Sequence, residues 1–205
     1  GILTGAGGTF CAGMDLKAFA RGEKPSIPGR GFGGLTEAPP SKPLIAAVEG
    51  WALAGGCELA LSADLIVASR EAKFGIPEVK RGLAAAAGGL LRLPKILPYP
   101  LAMELAITGD PLTAEVAHQH GLVNRVTEPG EALTVAKELA ARVAANGPLA
   151  VKATKQVVAM AANYTDPDAS FVAQRKFIDP VFASADAKEG ARAFAEKRAP
   201  VWKGE

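Results

Sequence analysis

The most constraining feature of this chain is a strand-like apolar run that passes through a Gly-Gly pair into a short helix carrying one acid. Residues 44–62 read LIAAVEGWALAGGCELALS, with Glu58 among small and apolar residues. Burying a carboxylate there raises the free energy of the folded chain unless a partner or a function retains it. A helix N-terminus has unpaired N–H groups, and Gly55 lets a ligand approach them closely. The run therefore predicts a site for an oxygen that becomes negative, beside Glu58.

A second acid is predicted to reach the same place. We expect a strand in 43–50, a helix in 55–63, a return strand in 64–69 and a hairpin-like turn in 73–82 that carries Glu78. The helix moves the chain about 12 Å at roughly 1.5 Å per residue, and the strand returns it by a comparable distance. Two carboxyl groups at one partly apolar site have different pKa values, because they do not both ionise easily. One can then act as a base while the other acts as an acid.

Each acid has a simpler interpretation when taken alone. Glu58 is then a first-turn glutamate favoured by the helix dipole. Glu78 is then a surface acid that pairs with Lys80 or Arg81.

The segment FCAGMD (10–15) predicts a second helix N-terminus around Met14, followed by a short helix in 15–22 with Asp15 at its positive end. Backbone N–H groups of Met14 and Gly55, from separate turns, can together bind one carbonyl oxygen and stabilise an enolate. The first residues resemble the end of a strand, so we expect further residues upstream. Residues 22–43 are rich in Gly and Pro and predict an irregular excursion.

The remaining pattern predicts an α/β core over residues 1–127 and a helical region over 128–205 with about three helices. A net charge of +2 without a basic block argues against nucleic acid as a partner, and no apolar run reaches membrane-spanning length. Two cysteines, Cys11 and Cys57, are too few for a disulfide framework, as expected in the cytoplasm.

Four segments together resemble the crotonase (enoyl-CoA hydratase/isomerase) superfamily. They are GGTFCAGMDLK, KPLIAAVEGWALAGGCELALSADLIVAS, AKFGIPEVKRGL and AAGGLLRLP, and the closing DAKEGARAFAEKR is similar to the last helix of that family. The resemblance covers essentially the whole chain. It implies an α/β fold, a crotonase-like spiral of ββα units, followed by a C-terminal helical region for oligomerisation into a homotrimer or a hexamer (a dimer of trimers).

The resemblance also implies a function, that of an enoyl-CoA hydratase, a hydro-lyase of fatty-acid or related acyl-CoA degradation. It places the oxyanion-hole amides on Met14 and Gly55 and the catalytic pair on Glu58 and Glu78. It implies substrate and CoA contacts at Ala12, Asp15, Leu16, Lys17, Phe194 and Lys197. No cofactor is implied, because coenzyme A is part of the acyl-CoA thioester substrate, and neither metal nor membrane is implied.

Several alternatives stay open or are weak. A Δ3,Δ2-enoyl-CoA isomerase or a non-catalytic acyl-CoA-binding relative remains possible on the sequence. Phe10 breaks the dinucleotide fingerprint G-x-G-x-x-G, and His118 and His120, two positions apart, face different sides of a helix and make a poor metal site.

Relatives carry Pro-Gly where this chain has a run of alanines (84–87), and Trp51 replaces a smaller residue. These departures leave the acyl group open.

Overall fold

The computed structural model describes residues 1–162 and 166–205. Contacts divide the chain into two compact units, residues 1–40 with 44–138 and residues 41–43 with 139–205. The strands of the described residues, β1 to β9, all belong to the first unit. They are Ile2–Thr4, Ser26–Ile27, Gly31–Phe32, Ile45–Val48, Trp51–Leu53, Leu65–Ser69, Lys73–Gly75, Leu112–Thr113 and Arg125–Thr127.

The helices of the described residues are numbered α1 to α9 in chain order. They are Leu16–Ala20, Gly55–Leu61, Gly89–Ile96, Tyr99–Thr108, Ala114–Gln119, Ala132–Ala144, Pro148–Ala161, Pro167–Ala183 and Ala185–Ala195. A 3-10 helix, Pro77–Arg81, lies between β7 and α3. No helix in these ranges has the length and apolar composition needed to cross a membrane.

A four-stranded parallel sheet forms the core of the first unit, in the order β1-β4-β6-β9. Every residue of β4 is buried, and Ala46 pairs with Ile66 of β6. Strands covered on both faces are apolar without alternation, which is the pattern of residues 45–48 and 65–68. The predicted strands in 43–50 and 64–69 are therefore confirmed.

A second sheet, in the order β5-β7-β8, lies within the same unit. The chain turns at Gly50, whose φ is 57°, and β5 then pairs with β7 in parallel rather than continuing β4. Two consecutive strands in different sheets followed by α2 make one ββα unit, and β6, β7 and the 3-10 helix continue the spiral. The predicted hairpin-like turn in 73–82 is wrong: β7 runs directly into the 3-10 helix, because Pro77 at its start favours a helical turn.

The segment that precedes α1 follows the prediction with a shift of two residues. The Asp15 carboxylate caps the helix by accepting hydrogen bonds from the Lys17 and Ala18 amides at 2.8 and 3.2 Å. The helix thus begins at Leu16, whereas its N-terminus was predicted around Met14. Within the predicted irregular excursion, β2 and β3 form a short antiparallel pair.

The second unit is helical, as the sequence predicts. It holds α7, α8 and α9, together with the end of α6. The tail has one more helix than predicted, because the Ser184 hydroxyl caps α9 by accepting a hydrogen bond from the Ala187 amide at 3.0 Å. The Asp186 carboxylate then fixes the C-terminal segment by accepting bonds from the Lys203 and Gly204 amides.

Candidate active site

A cavity of about 470 Å³ in the first unit is lined by both glutamates singled out from the sequence. Its other lining residues come from the loop before α1, α1 itself, the β2–β3 region, the start of α2, the 3-10 helix and the turn before α3. They are Ala12, Met14, Leu16, Phe19, Pro25, Ser26, Phe32, Glu37, Ala54, Gly55, Pro77, Lys80, Arg81, Leu83, Ala84, Ala86 and Ala87. Most of these side chains are apolar, so the carboxyl groups stand in a poorly hydrated environment.

Glu58 lies in the first turn of α2 and is only 2% exposed. Its Oε1 atom accepts hydrogen bonds from the backbone N–H groups of Ala87 and Gly89, at 2.7 and 2.9 Å. Burial raises the pKa of Glu58 above its usual value, and the two N–H donors and the Arg92 charge oppose that rise. The side chain is therefore held in a fixed position by groups that favour its ionised form.

Glu78 has a different environment in the 3-10 helix. Its Oε2 atom is buried and accepts no hydrogen bond from any described residue. Burial raises the pKa of Glu78, its own backbone N–H opposes that rise, and the nearby negative charge of Glu58 adds to it. The predicted surface pairing does not occur, because Lys80 pairs with Asp110 at 2.5 Å and Arg81 donates to the Lys80 carbonyl.

Gly55 is the first residue of α2, as predicted, and it follows a strained residue. Ala54 has φ 52° and ψ −130°, a conformation that an L-residue with a side chain adopts at a cost of about 1–3 kcal/mol. A Cβ atom on Gly55 would lie 2.7 Å from the Phe32 ring. A larger residue would therefore collide with Phe32, and without a side chain the Gly55 backbone lines the cavity directly.

Met14 is brought close to Gly55 by contacts between the residues that precede them. Gly13 has φ 99°, and a Cβ atom there would lie 2.7 Å from the Cβ of Ala54 and 3.3 Å from the Gly55 nitrogen. Within the described chain, neither the Met14 nor the Gly55 N–H has a hydrogen-bond acceptor. Two free donors at one cavity are what an oxygen that gains negative charge requires.

Backbone pairing fixes the distance between these two turns. The Cys11 amide donates to the Trp51 carbonyl at 2.9 Å, and the Leu53 amide donates to the Cys11 carbonyl at 3.0 Å. A Cβ on Gly56 would lie 2.0 Å from the Cys11 oxygen, so the second glycine of the pair permits this close approach.

The other predicted contact residues divide into two groups. Ala12 and Leu16 line the cavity, whereas Asp15 caps α1 and Lys17 donates its backbone N–H to that cap. Phe194 and Lys197 belong to the second unit and are not among the lining residues; the Phe194 side chain is 87% exposed. The structure therefore brings together the four predicted catalytic and oxyanion positions and two of the six predicted contact positions.

Sequence reasoning missed the groups that hold Glu58. The Ala87 and Gly89 amides and the Arg92 side chain were not singled out, although the glycine pair at 88–89 signals a close backbone approach. Among the described residues, no cluster of His, Cys, Asp and Glu suits a metal ion. His118 and His120 are both exposed, and Nδ1 of His118 is hydrogen-bonded to the Val123 carbonyl at 2.7 Å.

Comparisons with known proteins agree on one family. Residues 2–205 match the family model described as "Enoyl-CoA hydratase/isomerase". A "Carnitinyl-CoA dehydratase" from Salmonella arizonae is 47% identical over 216 aligned residues, which cover 99% of this chain and 80% of that protein. Two crystal structures are similar to this chain. Enoyl-CoA hydratase EchA1 from Mycobacterium marinum is 63% identical to this chain, and an enoyl-CoA hydratase from Mycobacterium tuberculosis is 64% identical to this chain. Both have TM-scores of 0.96 and are matched over 100% of this chain and 80% of their own.

Proposed function

The chain belongs to the enoyl-CoA hydratase/isomerase family, and from that premise we propose that it is an enoyl-CoA hydratase. It would add water reversibly across the 2,3 double bond of an acyl-CoA thioester to give the 3-hydroxyacyl-CoA. The observation that carries the proposal is the pair of buried carboxyl groups, Glu58 and Glu78, at one cavity with two backbone N–H groups that have no acceptor among the described residues.

In the proposed reaction, the thioester oxygen accepts hydrogen bonds from the Met14 and Gly55 N–H groups. These bonds strengthen as the oxygen gains charge in the enolate-like transition state. The positive end of α2 adds to the stabilisation. No metal or cofactor takes part in any of these steps.

The two glutamates would divide the proton transfers. Glu58, as carboxylate, orients the water and takes one of its protons while the oxygen bonds to C3. Glu78, as carboxylic acid, gives its proton to C2. The environments favour this division, because Glu58 accepts two N–H bonds that stabilise its charge, whereas Glu78 Oε2 accepts none and lies near a negative charge. The two residues exchange protonation states in each turnover, and the reverse reaction swaps their roles.

The test is a hydration assay on but-2-enoyl-CoA, followed by the loss of the conjugated thioester absorbance. Hydration of this substrate supports the proposal. Conversion of 3-enoyl-CoA to 2-enoyl-CoA without hydration would instead support the isomerase, which needs only one acid. Binding of acyl-CoA with neither activity would favour a non-catalytic role.

A second experiment asks which acyl group the cavity accepts. Carnitinyl-CoA, named for the curated relatives, carries a quaternary ammonium group, and dehydrating it is the reverse of the reaction proposed here. The Glu37 carboxylate and the Phe19 and Phe32 rings line the cavity and suit a cation, but Lys80 and Arg81 line it as well. We therefore propose a panel of carnitinyl-CoA and straight-chain enoyl-CoA thioesters of increasing length, ranked by kcat/KM.

A further inference from the structure

Arg92 connects two parts of the cavity wall through its guanidinium group. It lies on α3, and its Nη2 atom donates to the Thr36 carbonyl at 2.6 Å. Its Nη1 atom donates to the Ala87 carbonyl at 3.3 Å. Ala87 and Glu37, the residue after Thr36, both line the cavity. One side chain therefore holds together two wall segments that are far apart in sequence.

The turn before α3 is built to receive this side chain. Gly88 has φ 105°, and a Cβ atom on it would lie 2.1 Å from Nη1 of Arg92. Any other residue at this position would displace the guanidinium. Thr36 is equally fixed, since it is 1% exposed and its hydroxyl oxygen accepts a hydrogen bond from the Phe32 amide at 2.9 Å.

Ala87 transmits the position of Arg92 to Glu58. Its carbonyl oxygen accepts from Arg92, and its N–H donates to Glu58 Oε1. These two groups belong to adjacent peptide units that meet at the Ala87 Cα atom, so the bond to Arg92 restrains the orientation of the N–H that Glu58 accepts. Loss of the guanidinium would loosen the turn whose amides hold the carboxylate.

We propose that Arg92 is a positioning residue for the hydration reaction, which keeps Glu58 aligned and ionised by fixing the turn before α3 against the Thr36 segment. This inference rests on the proposed function. Arg92 forms no ion pair with any described residue, and its charge favours the ionised form of Glu58.

Other charged groups line the same cavity as Glu58, namely Glu37, Lys80 and Arg81. The Arg92 charge lowers the pKa of Glu58, and Glu78 is the acid that faces it across the cavity. Cys57, its neighbour on α2, stays neutral near pH 7 because burial raises the pKa of its thiol to about 12. We therefore expect removal of the Arg92 charge to raise the pKa of Glu58.

The test compares two variants of Arg92. Arg92→Gln removes both the charge and the guanidinium N–H donors, whereas Arg92→Lys keeps the charge and removes the guanidinium group. Lys95→Gln removes a positive charge from the same helix and is the matched control. In the pH profile of kcat/KM for but-2-enoyl-CoA, activity falls at low pH as Glu58 becomes protonated. We expect this acid limb to move to higher pH in Arg92→Gln and to stay in place in Arg92→Lys and Lys95→Gln. Both Arg92 variants should lose plateau activity, by roughly 10²-fold, as misplacement of a catalytic group by about 1 Å does.

A second measurement does not depend on turnover. The side-chain carboxyl carbons of ¹³C-labelled glutamate are titrated by NMR, and the Glu58 signal is assigned by its absence in Glu58→Gln. A higher Glu58 pKa in Arg92→Gln supports the inference. If the wild-type protein is inactive, the proposed function fails and this titration still decides the role of Arg92. An unchanged Glu58 pKa in Arg92→Gln, or lost activity of Arg92→Gln without movement of its acid limb, would overturn the inference and leave Arg92 a merely structural residue.

Discussion

At the scale of single residues, the site depends on an inequality between two buried carboxyl groups. Glu58 accepts two backbone N–H bonds, and Glu78 Oε2 accepts none from the described residues. Glu58 was identifiable from the sequence because a carboxylate in an apolar run needs an explanation, and Glu78 because the strand in 64–69 was expected to return the chain to the start of α2. Their inequality was not, since the donors that cause it are backbone groups 29 and 31 residues further along, and a backbone N–H has no residue signature.

The environment of Glu78 predicts a pH-dependent effect on stability. Its pKa is raised in the folded state, so the folded chain binds this proton more tightly than the unfolded chain does. The stability that this carboxyl contributes is then fully present below its unfolded pKa of about 4.3 and is lost as pH rises through the folded pKa. We expect Glu78→Gln to raise the free energy of unfolding at pH 7 and to leave it nearly unchanged at pH 4.

Urea unfolding at the two pH values measures this difference. The matched control is Glu138→Gln, at an exposed position of α6, which should have little effect at either pH. An equal stabilisation by Glu78→Gln at pH 4 and pH 7 would show that desolvation of the charge is not its cause.

At the scale of elements, the junction between β5 and α2 positions the Gly55 amide. The helix was predicted from the glycine pair and the small residues that follow it. Strand β5 was not, because three residues, Trp51–Leu53, give too short a pattern to be distinguished from the strand before them. The 3-10 helix that carries Glu78 was missed for a similar reason: Pro77 predicts a turn, and only tertiary contacts decide which kind.

Because the Ala54 backbone is strained, we expect alanine-to-glycine substitutions at positions 54 and 60 to change the free energy of unfolding in opposite directions. Ala54→Gly should raise the free energy of unfolding by about 1 kcal/mol, because glycine adopts positive φ without strain. Ala60→Gly, within α2, should lower it by about 1 kcal/mol or more, because glycine is a poor helix former and a buried methyl is lost.

Chemical denaturation of both variants tests this pair of expectations. Ala54→Gly should also lower kcat for enoyl-CoA hydration, because the Gly55 N–H is then less firmly oriented. A lower free energy of unfolding in both variants would mean that the Ala54 conformation stores no strain.

At the scale of the whole molecule, the sequence predicted an α/β core and a helical tail, and both types of structure are present. The strand pattern ends at Thr127, where β9 ends, while the contacts divide the chain within α6. The break between α8 and α9 was missed because the apolar spacing continues through it, and only the Ser184 cap marks it. Family resemblance, rather than periodicity, supplied the arrangement of the ββα units.

Association of the chain belongs to this scale as well. Several large apolar side chains of the second unit are exposed, including Phe171 at 66%, Phe182 at 78% and Val158 at 67%. Apolar surface of this kind favours association, and we propose a homotrimer or a dimer of trimers. Light scattering should give three or six times the chain mass of 21.0 kDa, and a mass of one chain at micromolar concentration would refute the assembly.

The most direct test of the central claim is the turnover of the two single variants Glu58→Gln and Glu78→Gln with but-2-enoyl-CoA. General acid and general base catalysis each contribute about 10²–10⁴-fold, so each variant should lose kcat by a factor in that range. Binding of acyl-CoA should persist, because the Met14 and Gly55 amides are unchanged, and Glu138→Gln should match the wild type. Turnover near the wild-type value in either glutamine variant would contradict a hydration carried out by both acids.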